Sequence, residues 1–160
     1  FYEHGGFDPL GIGRAAWNNL RGGATQGGST ITQQLAKNLY LSPSRNPVRK
    51  IEELMIARRL EAELSKRRIL ELYLNVIEWG DGIWGAEAAA RSYFQKPASA
   101  LAADESALLA AAIINPRRYS PARPSPYLLR RQELIRQRMG DVEPPAPAAA
   151  AAPGGPGGLP

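Results

Sequence analysis

Between Gly27 and Lys37 the chain reads Gly-Gly-Ser-Thr-Ile-Thr-Gln-Gln-Leu-Ala-Lys, and its polar residues are of an unusual kind for a surface. At helical spacing Thr30, Gln33, Gln34 and Lys37 form one stripe, while Ile31, Leu35 and Leu39 form an apolar one. A solvent face ordinarily carries Glu, Lys and Arg. This one carries neutral hydrogen-bonding groups and a single cation. Two glycines let backbone approach a ligand without a Cβ in the way, and Ser29 or Thr30 is placed to cap the helix. The free amides of a helix start favour an anion. On this stretch alone, a plain capped surface helix remains the alternative.

A second group follows. Arg49, Lys50 and Glu53 are three and four apart, so all three can share a helix face. The bland reading is an exposed ion pair of about 0.3–0.5 kcal/mol. Against it, Ile56, Ala57 and Leu60 continue the Glu53 face, and a carboxylate leading into apolar residues needs cations to hold it ionised. Glu52 has similar neighbours in Met55 and Ile56, so periodicity does not choose between the two acids. Arg45 precedes this helix. If the two helices ran antiparallel, Lys37, Arg45 and Lys50 would converge, and three cations around one cleft would match a diphosphate. His4 could serve as a general base or as a hydrogen-bonded structural residue. Arg117-Arg118-Tyr119 and Arg130-Arg131 would suit phosphate or a lipid headgroup, or are solvated charge.

Helices must position these groups. Asp8-Pro9 and Gly22-Gly23 bracket a first, glycine-containing segment. The Thr30 helix stops at Ser42-Pro43, a long helix runs from Val48 to about Leu64, and Ser65 caps another from Lys66 to about Val76. Glu78-Trp79-Gly80-Asp81-Gly82 reads as a turn. Gly85 to Phe94 and Ala102 to Ile114 read as Ala-rich helices, and an Arg-rich helix runs from Pro124–Pro126 to Met139-Gly140. No alternating strand and no repeat stands out. The fold class expected is mainly α, with one domain over 1–140 and a disordered Pro/Ala/Gly-rich tail over 141–160.

Composition sets outer bounds. A chain of 160 residues suffices for one domain with a core, and a formal net charge of +5 points to anionic partners. With no Cys and one His, thiol chemistry and a His/Cys zinc site are excluded. The longest apolar run, Ala107 to Ile114, is far short of the ~20 residues of a membrane span. Because it begins at Phe1, inside what reads as ongoing structure, the chain is expected to be a piece of a longer one whose targeting segment or anchor lies upstream.

Taken together, the blocks resemble a known family. Phe-x-x-His-x-Gly (Phe1 to Gly6), Gly-Gly-Ser-Thr-Ile-Thr-Gln-Gln (Gly27 to Gln34), Arg-Lys-x-x-Glu (Arg49 to Glu53), Lys-x-x-Ile-Leu-x-x-Tyr-Leu-Asn (Lys66 to Asn75) and Arg131…Met139 are similar to the peptidoglycan glycosyltransferase domain, glycosyltransferase family 51. That domain occurs in class A penicillin-binding proteins and in stand-alone enzymes. Asn75 to Gly82, with no transpeptidase sequence after it, is most similar to the monofunctional branch.

The resemblance implies a lysozyme-like, two-lobed helical fold on the periplasmic face of the bacterial inner membrane, anchored by a single span in the full-length protein. It implies polymerisation of lipid II into glycan strands, with inversion at the anomeric carbon and release of undecaprenyl diphosphate. By the same resemblance Glu53 is the second family carboxylate and so is preferred to Glu52. Lys37 and Arg45 fall on diphosphate-binding cations, and Ser29, Gln33, Gln34 and Lys50 line the same cleft. A divalent cation, Mg or Mn, is also implied, as is a mobile segment from Phe7 to Leu20 that dips into the membrane surface. The family's general-base Glu opens the first motif and would lie upstream of Phe1. The chain as given is therefore expected to bind substrate but turn over little.

Three rivals remain: a lysozyme-like glycan-cleaving enzyme, a basic helical domain that binds nucleic acid, and a silent membrane-surface scaffold. The Gly27–Gln34 block argues against the first. Nucleic acid is not expected as a partner, because the aromatics form no stacking platform.

Overall fold

The computed structural model describes Phe1, Trp17, Arg21, residues 29–41 and residues 47–140. The expectations for His4, Arg45, most of Phe7 to Leu20 and the 141–160 tail lie outside these. The described residues form α1 (Ile31–Tyr40), α2 (Pro47–Glu63), α3 (Lys66–Val76), β1 (Glu78–Gly80), β2 (Ile83–Trp84), α4 (Ala86–Phe94), a 3-10 turn (Ala98–Ala100), α5 (Ala103–Ala112) and α6 (Pro126–Met139). The architecture is mainly helical.

Local chemistry sets the helix starts. Thr30, not Ser29, caps α1, its hydroxyl accepting from the Gln33 amide at 3.3 Å. Ser65 caps α3 by accepting from Arg68, and Ser125 caps α6 ahead of Pro126 at its first turn. Packing then selects the arrangement. Helix α1 packs on α2 and α3, and α5 pairs with α6. Leu35, Ile69, Tyr73, Ile77, Trp79, Ala89 and Leu109 make the main core, and Leu108, Ala111, Ala112 and Leu128 make a second cluster between α5 and α6. The alanines of α5 let the neighbouring helix approach closely, which is why this helix is buried on several sides.

One expectation is corrected. Glu78 to Gly82 is not only a turn: Glu78–Gly80 pairs antiparallel with Ile83–Trp84, with Asp81-Gly82 at the tip and Gly82 at φ +73°. At three and two residues these strands are too short to display an alternating pattern. Asp-Gly was their one sequence signal. The start of α1 meets α2 at two places, with Ser29 and Gln33 accepting from Lys50 and Thr32 donating to Glu61.

One carboxylate in this frame has a predictable pH signature. Glu105 takes Lys96 Nζ at 2.9 Å on each oxygen and the Ala102 amide at 2.8 Å. The Lys96 hydrogen bond first, then the amide, holds its carboxyl below the ordinary range. Its contribution to stability is thus present at neutral pH and lost as pH falls through that lowered value. Melting curves by circular dichroism should show the Glu105→Gln deficit shrinking below about pH 4. A deficit constant with pH would contradict this.

Candidate active-site cleft

Glu53 is the buried acid of the cleft. It is 3% exposed, whereas Glu52 points to solvent. Helical geometry places Lys50 one turn before it, and the Lys50 ammonium hydrogen-bonds Glu53 Oε1. The same ammonium donates to Ser29 Oγ at 2.8 Å and Gln33 Oε1 at 3.3 Å, joining the start of α2 to the start of α1. Arg49 lies on the other carboxylate oxygen at 3.9 Å. Its Nε and one terminal nitrogen are buried without a hydrogen bond in the structure. A carboxylate can be desolvated here because two cations face it, and Arg49 retains unspent donors while the three of Lys50 are taken.

The α1 residues are held from behind. Gln33 is 2% exposed, and Gln34 accepts from the Tyr73 hydroxyl at 2.9 Å while donating to the Ser29 carbonyl at 3.4 Å. Burial raises the Tyr73 phenol, so it stays protonated and keeps donating at neutral and mildly alkaline pH. Deeper, buried Thr32 donates to Glu61, which also takes Lys66 Nζ at 2.8 Å. The Lys66 ammonium sits 4.6 Å from the centre of the Phe1 ring. This network spans α1, α2 and α3 and fixes the register that brings Ser29 and Gln33 to Lys50.

These groups open on a cavity of about 460 Å³ lined in part by Ser29, Gln34, Lys37, Arg49, Lys50 and Glu53. Five of the residues expected at the site therefore share one cavity wall: Ser29, Gln34, Lys37, Lys50 and Glu53. Gln33 lies beneath them, bonded to Lys50. Arg45 is outside the described residues. Arg49 and Tyr73 were not among the expected site residues. Arg49 carried a signal, sharing the Glu53 face, whereas the Tyr73 hydroxyl reaches Gln34 across 39 positions and left none in the sequence.

Trp17 is 57% exposed, with the Arg21 guanidinium 4.5 Å from its ring centre. An exposed indole beside a cation suits an interface. No helix among the described residues is long and apolar enough to cross a membrane.

Fold and cleft define a class: a mainly helical domain with a cavity whose wall carries Lys37, Arg49, Lys50 and the buried carboxylate of Glu53. The Transglycosylase family model matches residues 1–140, and the chain belongs to that family. Among its relatives, the biosynthetic peptidoglycan transglycosylase of Laribacter hongkongensis is 54% identical over 143 residues, covering 89% of this chain and 63% of the relative. Proteins of the same name from Thiobacillus denitrificans and Chromobacterium violaceum are each 53% identical over 146 residues, covering 91% of this chain and 63% and 64% of theirs. The chain thus spans a little under two thirds of the length of these relatives.

Proposed function

We propose that the chain is the glycosyltransferase part of an enzyme that polymerises lipid II on the outer face of the bacterial inner membrane. The observation that carries this reading is the Lys50 ammonium, held between Glu53, Ser29 and Gln33 on a cavity that Lys37 also lines. In the reaction the C4 hydroxyl of one saccharide attacks C1 of the other. A C4–O–C1 bond forms, the C1–O bond to phosphate breaks with inversion, and the hydroxyl proton goes to a general base. The leaving group is a diphosphate, so positive charge at its oxygens lowers the barrier.

Lys37 and Lys50 supply that charge in this reading, with Arg45 as a third cation. Glu53 orients Lys50, together with Ser29 and Gln33, which accept from the same ammonium. Ser29 and Gln34 offer hydrogen bonds at the cavity edge. A divalent cation finds a poor donor set here: one carboxylate flanked by two cations favours an anion, and among the described residues no three acid or His side chains cluster. No step is assigned to a metal. Phe7 to Leu20, with the exposed Trp17, is the segment proposed to meet the membrane.

The test is turnover of labelled lipid II by the full-length protein. Formation of glycan polymer with release of undecaprenyl diphosphate is expected. Release of muropeptides from purified sacculi without polymer would instead favour a glycan-cleaving enzyme.

A further inference from the structure

A second cavity, of about 590 Å³, lies where the loop after α5 meets the start of α6. It shares no lining residue with the Glu53 cleft. Arg118, Arg123 and Arg130 line it together with Ser120, Ser125, Tyr119 and Tyr127. The nearby Arg117 and Arg136 are paired with Glu78 and Asp104. Among the described residues, Arg118, Arg123 and Arg130 have no carboxylate partner, and no acid lines the cavity. All three are exposed, and together they give the hollow a positive potential that draws an anion.

The frame is built. Amides of Arg118 and Tyr119 donate to the Asn115 carbonyl at 3.0 and 2.9 Å, and the Arg123 amide to the Ser120 carbonyl at 3.1 Å. Tyr119 and Tyr127 stack with centroids 5.2 Å apart, and the Arg118 guanidinium sits 5.6 Å from the Tyr119 ring centre. Ser125 accepts from the Leu128 amide at 3.3 Å, which leaves its own hydroxyl proton able to donate.

We propose that this pocket is a second anion site, which receives a phosphate ester. The planar fork of arginine matches paired phosphate oxygens, and three forks suit a dianion or diphosphate better than a single carboxylate. The volume exceeds one phosphate, so the body of the ester rests against the tyrosine pair. The site does not depend on the transfer reaction proposed above. Its ligand is either a soluble phosphate compound or the headgroup of an anionic lipid.

The experiment uses the full chain carrying Lys37→Ala and Lys50→Ala, so that the Glu53 cleft contributes little. Two probes are applied: inorganic pyrophosphate by calorimetry, and flotation with phosphatidylcholine vesicles with or without phosphatidylglycerol. Adding Arg118→Gln, Arg123→Gln and Arg130→Gln should weaken at least one probe by about tenfold or more. The three Arg→Lys changes, which keep charge and lose the fork, should fall between. Loss confined to pyrophosphate assigns a soluble ligand; loss confined to phosphatidylglycerol vesicles assigns a headgroup. If neither probe binds the parent, or if the arginine variant, its fold verified by circular dichroism, binds both within about twofold of it, the proposal is overturned.

Discussion

Glu53→Gln in the full-length protein is expected to slow lipid II polymerisation by roughly 10²–10³-fold, almost wholly in kcat. The amide keeps the shape of the carboxylate and can still accept from Lys50. What disappears is the charge that half-buried Arg49 and exposed Lys50 face. Without it the two cations relax toward whatever anion enters, so the diphosphate of bound substrate is held as well as before or better. The oriented arrangement that meets developing charge on the leaving group is lost. KM should therefore stay level or fall while kcat drops. A kcat within about threefold of the parent would contradict the role given to this acid.

The second large effect concerns stability. Gly85 precedes α4 at φ +85° and ψ 146°, a conformation essentially reserved for glycine, and a Cβ there would meet the Asn75 carbonyl oxygen at 2.9 Å. Its amide donates to the Ile77 carbonyl at 3.1 Å, so the residue pins the end of α3 to the start of α4. Backbone cannot yield as a flexible side chain would. Gly85→Ala should cost about 3 kcal/mol, or about 10 °C in Tm. Gly82→Ala is the control: φ is +73°, but nothing lies within 4 Å of the added methyl. It should cost only about 1 kcal/mol. Equal losses for the two variants would mean that conformational strain alone, and not the Asn75 contact, decides the Gly85 value.

Sequence and structure agree best where one segment carries its own instructions. Thr30, Ser65 and Ser125-Pro126 mark helix starts through local hydrogen bonds, and the helices fall there. Where three-dimensional packing decides, periodicity fails. Val48, Ile51 and Met55 are apolar yet exposed, so the apolar pattern of α2 did not separate Glu53 from Glu52. Motif resemblance separated them, and the structure buries Glu53 while leaving Glu52 exposed. The Thr32–Glu61–Lys66 network and the Tyr73–Gln34 bond join positions far apart in the chain and had no local signature. The β1–β2 hairpin was too short to read.

Central to the account is a diphosphate held at the Lys37 and Lys50 edge of the Glu53 cleft. Affinity for a phosphoglycolipid inhibitor such as moenomycin, measured by calorimetry on the full-length protein, tests it most directly. Lys37→Ala and Lys50→Ala should each weaken binding by about tenfold or more, with the Arg118, Arg123 and Arg130 variant close to the parent. Affinity unchanged in both lysine variants would contradict it.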